Sequence, residues 1–213
     1  MINIITIDIQ SKKYGDKEIL KNLKEKIKDN ELVSILGPSG CGKTTLLNMI
    51  GAIDNDYNGT IMYDDVNIKN VKDKDKFIRE NINYLFQNYA LIENESVLKN
   101  LLLALEYEKL KKDEKIKKIQ NALKMVGLSG YEKKIIYTLS GGEQQRIALA
   151  RVMLKRGNII LADEPTGNLD NDNKELVFSI LKNMKEKGKT IIMVTHDKSL
   201  TKDCDRTIIL KKI

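Results

Sequence analysis

The sequence predicts an α/β fold in which helices cover a parallel β-sheet. Two observations carry this prediction. Short apolar runs without polar alternation occur at residues 31–36, 158–162 and 190–194, and a segment with helical apolar spacing separates the last two. Strands that are buried on both faces read as such runs, and they are typical of parallel sheets. With 213 residues, 41% of them hydrophobic, the chain is long enough to bury a sizeable core.

The amino-terminal region predicts strands of a different kind. The first thirty or so residues, and residues 60–68, alternate polar and apolar side chains. This pattern is typical of edge strands, here in a small antiparallel flank. Residues 31–36 then provide the first parallel strand, and the apolar segment 44–50 predicts a helix that Gly51 closes.

The middle of the chain predicts an inserted helical subdomain. Residues from about 88 to 156 read as wholly helical, because apolar side chains recur at helical spacing in three segments: 96–107, a lysine-rich segment that includes Lys109–Lys118, and 142–156. We therefore expect a single domain over 1–213, composed of a core, 1–87 and 157–213, and the helical subdomain.

Composition favours a cytosolic protein without a nucleic-acid partner. The chain has 37 basic and 30 acidic residues, a net charge of +7. Most of the basic residues are lysines, which fit a solvated surface better than base recognition. Cys41 and Cys204 are far apart and the chain has a single histidine, so a zinc site is not expected and free thiols suit a reducing compartment. We predict neither a membrane span nor an export signal.

One segment predicts a phosphate-binding loop. Gly37–Thr44 fits the pattern G-x-x-x-x-G-K-[ST] and lies between a predicted strand and a predicted helix. Glycines allow backbone N–H groups to turn around an anion, and the helix amino terminus adds its dipole. Lys43 can reach the β- and γ-phosphates of a nucleotide, and the Thr44 hydroxyl can bind Mg²⁺. The alternative is a glycine-rich turn that precedes a lysine by chance.

Two acidic residues complete this site in the sequence. The apolar run 158–162 leads into Asp163 and Glu164, and the carboxyl ends of parallel strands are where α/β folds bind ligands. We predict that Asp163 holds Mg²⁺ and that Glu164 takes a proton from the attacking water, which favours hydrolysis over kinase chemistry. Without the phosphate-binding loop, the two acids would equally suit a helix amino terminus.

The segment Leu139–Arg146, which reads Leu-Ser-Gly-Gly-Glu-Gln-Gln-Arg, resembles the signature motif of ATP-binding cassette (ABC) ATPases. Other segments resemble further motifs of that family in the same order along the chain. They are the adenine-stacking aromatic (Tyr14), the glutamine that touches Mg²⁺ and water (Gln87), the interface loop Asn168–Asp170 and the γ-phosphate histidine (His196). Each also has a plain structural interpretation, such as an edge-strand tyrosine or a structural histidine.

The resemblance implies an ABC ATPase fold, with a RecA-like P-loop core, and a dimer that encloses two ATP molecules. In that dimer the signature loop of one copy faces the ATP of the other. The implied catalytic residues are Glu164, His196, Gln87 and Lys43, and the implied Mg²⁺ ligands are Thr44, Gln87 and Asp163. The implied nucleotide contacts are Tyr14, Gly37, Ser39, Gly40, Cys41, Gly42, Lys43, Thr44, Thr45, Ser140, Gly142 and Asp170.

The residues Asp163–Asp170, with Glu143–Gln145, resemble the macrolide-exporter and lipoprotein-releasing branch, and Phe86–Asn94 is most similar to bacteriocin or antimicrobial-peptide exporters. Glu93 departs from that branch, which often has proline there. The resemblance implies a separate membrane permease that docks between the Gln87 loop and the helix at 96–107, with Glu93 and Glu95 as candidate contacts. We thus expect a peripheral protein on the inner face of the cell membrane.

Two other functions remain open at this stage. The first is an ATP-driven regulator of a membrane partner, as in the cell-division members of the branch, which moves no substrate. The second is a DNA-repair or ribosome-acting ATPase of the same superfamily, which would need a coiled-coil insertion or two cassettes, and neither is present in the sequence.

Overall fold

The computed structural model describes residues 2–167 and 169–213. Asn168, which belongs to the predicted interface loop, lies outside the described residues. The described residues form the strands β1 (Ile4–Tyr14), β2 (Lys17–Lys28), β3 (Leu32–Leu36), β4 (Asn58–Tyr63), β5 (Val66–Asn67), β6 (Ile82–Leu85), β7 (Ile159–Asp163), β8 (Thr190–Thr195) and β9 (Arg206–Ile209). They also form the helices α1 (Lys43–Ile50), α2 (Lys74–Asn81), α3 (Val97–Leu102), α4 (Lys112–Met125), α5 (Gly141–Leu154), α6 (Asn171–Glu186) and α7 (Lys198–Thr201).

The amino-terminal strands form a four-stranded sheet in the order β2-β1-β4-β5. All pairings within it are antiparallel. Along β1, the buried side chains of Ile5, Ile7 and Ile9 alternate with more exposed ones, because successive residues of a strand point to opposite faces. The predicted antiparallel flank is confirmed.

The remaining strands form a five-stranded parallel sheet in the order β6-β7-β8-β3-β9. Every residue of β7 and of β8 is buried, as the unbroken apolar runs predict. Alternate residues of β7 pack in two different hydrophobic clusters. Ile160 packs with side chains of the helices α3–α6, whereas Leu161 packs with those of α1 and of the antiparallel sheet. The parallel sheet therefore lies between two hydrophobic layers.

The predicted helical region is only partly helical. Residues 88–96 and 126–135 lie outside helices, and the predicted helix over 96–107 ends as an α-helix at Leu102, followed by a 3₁₀ turn over Leu103–Leu105. The third predicted helix starts one residue earlier than expected, because Ser140 caps its first turn, and it ends two residues earlier, at Leu154. The division into a core and a helical subdomain stays a prediction.

Candidate nucleotide site

The phosphate-binding loop joins β3 to α1. Gly40 and Gly42 have φ angles of 74° and 94°, in the left-handed region that glycine adopts without a steric cost. Gly42 is the N-cap of α1 and provides no side-chain hydrogen bond to the first turn. The N–H groups that begin α1 are thus available to an anion, with the helix dipole behind them.

Lys43 folds back over this loop. Its Nζ donates hydrogen bonds to the carbonyl oxygens of Gly37, at 2.9 Å, and Pro38, at 3.2 Å. Cys41 is buried and its Sγ is directed at Gly37, where an added Cβ would stand 2.6 Å from it. Of the predicted contacts, Cys41 therefore has only its backbone to offer a nucleotide.

Asp163 ends β7 next to the start of α1. The Thr44 hydroxyl donates a hydrogen bond of 3.1 Å to Asp163 Oδ1. Burial raises the pKa of Asp163, the hydrogen bond from Thr44 opposes this shift, and the negative charge of Glu164 adds to it. A hydroxyl and a carboxylate this close are oxygen ligands of the kind that Mg²⁺ prefers.

Within the described ranges there is no group of three or more His, Cys, Asp or Glu side chains that could hold a metal ion by itself. The pair Thr44 and Asp163 thus fits Mg²⁺ shared with water and substrate phosphates, which is how this ion is commonly bound. It does not fit an ion enclosed by protein ligands.

Glu164 follows β7 in a strained conformation. Its φ angle of 47° is unusual for a residue with a side chain, and its amide donates to the carbonyl oxygen of Val194 at 3.0 Å. The carboxylate is nearly buried, and its Oε2 lies 2.9 Å from His196 Nδ1 without forming a hydrogen bond. An unsatisfied buried acceptor beside a cavity is available to a water molecule or substrate.

A cavity of about 520 Å³ adjoins the phosphate loop and Glu164, and Asp163 lies outside its lining. Gln87, two residues beyond the end of β6, and His196, directly after β8, both line it. The whole lining consists of Lys17, Ile19, Ser39, Gly40, Gly42, Lys43, Thr44, Thr45, Gln87, Glu164, Gly167 and His196. The sequence did not predict Lys17 or Ile19, because no motif marks them and only the pairing of β1 with β2 places β2 there.

Tyr14 lies outside this lining, at the end of β1. Its ring is 53% exposed, its hydroxyl donates to Asp54 Oδ2 at 2.9 Å, and Lys12 Nζ stands 4.4 Å from the ring centroid. Lys12 is itself buried and pairs with Asp54 at 2.9 Å. An exposed, anchored ring suits stacking against a base, and that role stays a prediction.

Ser140 and Gly142 of the signature segment lie at the amino terminus of α5, outside the lining of the phosphate cavity. Ser140 is exposed and caps α5: its Oγ accepts from the Glu143 amide at 3.3 Å, and Glu143 Oε2 accepts from the Ser140 amide at 2.8 Å. Gly142 faces Asn173 of α6, whose N-cap is Asp170. Ser140, Gly142 and Asp170 are absent from the described lining of the phosphate cavity.

The model of the family described as ABC transporter matches residues 20–167. The chain belongs to the ABC transporter family. The ABC domain is similar to a lipoprotein-releasing system ATP-binding protein, LolD, of Bacteroides thetaiotaomicron, at 35% identity over 96% of this chain and 95% of that protein. It is also similar to a macrolide export ATP-binding/permease protein, MacB, of Mannheimia succiniciproducens, at 37% identity over 99% of this chain and 34% of that protein. A third relative is a spermidine/putrescine import ATP-binding protein, PotA, of Clostridium novyi, at 39% identity over 99% of this chain and 60% of that protein.

A solved structure confirms the predicted ABC ATPase fold. The dimeric bacterial ABC transporter cassette MJ0796 superposes with a TM-score of 0.89 at 36% identity, over 98% of this chain and 94% of that one. A second structure of MJ0796 is a dimeric post-hydrolysis state with ADP and phosphate bound, at a TM-score of 0.88 and 34% identity over 97% of this chain and 94% of that one. The ABC domain is accordingly an ATP-binding ATPase of the branch that contains the macrolide and lipoprotein-releasing proteins.

Proposed function

We propose that two copies of this ABC domain enclose two ATP molecules and that ATP hydrolysis between them drives a separate membrane subunit. One observation carries the proposal. The phosphate loop, Glu164, Gln87 and His196 line one cavity, and Asp163 lies next to it, hydrogen-bonded to Thr44, whereas Ser140 and Gly142, at the amino terminus of α5, are absent from that lining. A second copy that presents its own Ser140 and Gly142 would complete the cavity, as in a two-fold symmetric dimer.

The chemistry that this geometry supports is hydrolysis. The N–H groups of the phosphate loop and Lys43 hold the phosphates, and His196, whose side chain is 66% exposed, reaches the terminal one. Glu164 accepts a proton from water, the water oxygen bonds to the γ-phosphorus, and the bond from that phosphorus to the β–γ bridging oxygen breaks to release ADP. Mg²⁺ bound by Thr44 and Asp163, with Gln87 near it, would neutralise charge on the phosphates.

The proposal is tested with Glu164→Gln, which keeps the shape of the side chain but removes the base. We expect this variant to elute as a dimer on a sizing column when ATP and Mg²⁺ are present, because the nucleotides that join the copies are no longer cleaved. The matched control adds Lys43→Ala, which should restore the monomer. Identical elution of Glu164→Gln with and without ATP would contradict the proposal.

The membrane subunit would dock beside Gln87. A groove of about 710 Å³ opens there, with Ile53, Phe86, Tyr89 and Glu93 in its lining. Ile53 is 52% exposed, so a partner seated in the groove would cover apolar surface there. In the described parts of the chain, none of the helices combines the length and hydrophobicity of a membrane span.

We propose that the transport is export of a peptide or lipophilic compound, and that the ABC domain lies on the inner face of the membrane. The support is the similarity to LolD and MacB together with the resemblance of Phe86–Asn94 to peptide exporters. Reconstitution of the copurified complex in vesicles tests it. ATP-dependent movement of a labelled hydrophobic peptide out of the compartment holding the ATPase supports export. Inward movement of a polyamine would favour the import activity named for PotA, and ATP hydrolysis without transport would favour a regulator.

A further inference from the structure

The segment after Gln87 has an uncommon backbone conformation. Tyr89 and Ala90 have φ angles of 63° and 48°, so two consecutive residues with side chains occupy the left-handed region. Single residues of this kind are uncommon, and consecutive ones persist only where the surroundings impose them. The contacts of this segment therefore determine where the chain runs after Gln87.

Arg151 of α5 supplies the first of these contacts. Its Nη1 donates to the carbonyl oxygen of Ala90 at 2.5 Å and its Nη2 to that of Tyr89 at 2.7 Å. Burial lowers the pKa of Arg151. Among the described residues, these two carbonyls are its hydrogen-bond acceptors, and no carboxylate forms an ion pair with it. The planar guanidinium holds two adjacent carbonyls in one fixed plane through two separate nitrogens, whereas a lysine donates from a single freely rotating nitrogen and does not fix their orientation.

The Tyr89 side chain supplies the second contact. Its hydroxyl reaches the first turn of α5, where a Cβ on Gly141 would stand 3.3 Å from it. Farther on, Ile92 exchanges two hydrogen bonds with the buried side chain of Asn100 in α3, at 2.8 and 3.1 Å. Residues 89–92 are thus attached to α3 and α5, although Gln87 itself lies beside the phosphate cavity.

We propose that Arg151 and Tyr89 are positioning residues that tie the segment after Gln87 to α5: Arg151 holds it from the last turn of the helix, and Tyr89 contacts the first turn, which Ser140 caps and which includes Gly142. This connection links two positions. One is that of Gln87 at the phosphate cavity of its own chain; the other is that of Ser140 and Gly142, which the proposed dimer presents to the phosphate cavity of the second copy. The inference rests on the proposed role of Gln87 at the reacting phosphate. It predicts that loss of the connection slows hydrolysis without weakening the phosphate loop's hold on ATP.

The experiment compares Arg151→Lys, Gln87→Ala and the double variant in the full-length protein. We expect Arg151→Lys to lower kcat about 10- to 100-fold, since small displacements of a reacting group have effects of this size. The dissociation constant and the stoichiometry of a fluorescent ATP analogue should stay within about twofold, because Lys43 and Thr44 are unchanged. The double variant should be no slower than Gln87→Ala, as expected for residues that act as one unit.

Arg206→Lys is the matched control, because Arg206 also forms a multiple hydrogen-bonding contact, with Glu25, Glu31 and the Lys26 carbonyl, at the opposite side of the sheet. It should retain wild-type kcat. If Arg151→Lys does not fold, Tyr89→Gly replaces it, since glycine accepts the positive φ and removes the side chain that contacts α5. A normal kcat in Arg151→Lys or Tyr89→Gly, or additive losses in the double variant, would overturn the inference. A normal kcat in Gln87→Ala would overturn the proposed role of Gln87 and the inference with it.

Discussion

The ionised form of Asp163 that chemistry needs is the form that destabilises the folded chain. Its carboxylate is 4% exposed, and burial raises its pKa, so the ionised form that a metal ion needs is costly to keep in the folded chain. Glu164 adds a like charge next to it and a strained backbone. Costs of this kind concentrate where a protein performs chemistry.

We therefore expect Asp163→Asn to stabilise the protein while abolishing hydrolysis. The free energy of unfolding at pH 7 should rise by about 1 kcal/mol, because a buried charge is removed and Thr44 keeps an oxygen acceptor. A folded-state pKa above the unfolded value makes this cost largest at neutral pH and absent below the ordinary carboxyl pKa. Urea unfolding at pH 7 and pH 4 should show the difference shrinking at the lower pH.

The control for this prediction is Asp197→Asn. The Asp197 carboxylate accepts hydrogen bonds from Ser199, which lower its pKa, so its charge favours folding and the substitution should not stabilise the protein. A loss of stability in Asp163→Asn at pH 7 would contradict the explanation given for Asp163.

At the scale of elements, α5 depends on how its amino terminus is held. Glu143 accepts from the Ser140 amide and, at 2.7 Å, from the Tyr131 hydroxyl, and the hydroxyl is the larger cause of the lowered pKa of Glu143. A carboxylate at this position also interacts favourably with the helix dipole. The same cap fixes the Ser140 side chain, so the stability of the helix and the shape of the signature loop are linked.

Glu143→Ala should lower the free energy of unfolding by about 1 kcal/mol at pH 7, the usual contribution of a capping interaction. The lowered pKa means that this contribution is present above the ordinary carboxyl pKa and is lost as the pH falls through the folded value. Thermal unfolding from pH 7 to pH 3 should show the two proteins converging. Glu114→Ala, which removes a similar contact at Lys111 on α4 without a tyrosine, should cost less.

Three elements that the sequence did not predict, β6, β9 and α2, lack an unbroken apolar run or an apolar helical stripe. Strand β6 contains Asn83, a polar residue that is buried because its amide donates to the Gly157 carbonyl oxygen, and β9 leaves Ile209 67% exposed at the sheet edge. Helix α2 has no buried residue at all. Unbroken apolar runs predicted β7 and β8, whereas β9 and α2 are less buried, and β6 is largely buried but its apolar run is interrupted by Asn83.

The candidate site follows the same division. The residues in contiguous motifs, such as Lys43 and Asp163, could be predicted because the chemistry fixes their spacing. Lys17 and Ile19 could not, since their place in the cavity results from strand pairing. The tie between Arg151 and the Tyr89 segment could not either, because it joins residues 62 apart by backbone carbonyls, which leave no trace in side-chain type.

At the scale of the whole molecule, the groove beside Gln87 distinguishes Glu93 from Glu95, which the sequence analysis gave as equal candidates for contact with the permease. Glu93 is exposed and lines the groove, whereas Glu95 is paired with Lys99 at 2.8 Å. We expect Glu93→Lys to reduce copurification with the membrane subunit about tenfold, as reversal of an unpaired interface charge would. Glu95→Lys is the control and should change it much less. Equal recovery of the subunit with Glu93→Lys would contradict this assignment.

The separation of Ser140 from the cavity of its own chain has a genetic consequence. A chain disabled at Lys43 still offers an intact signature, and a chain disabled at Ser140 still offers an intact phosphate loop. When both defective alleles are expressed in one cell, they should complement each other. A dimer of the two mutant chains contains one site with an intact phosphate loop and an intact signature. Either allele expressed together with the normal one should likewise be recessive, since a dimer of a normal and a defective chain also retains one intact site.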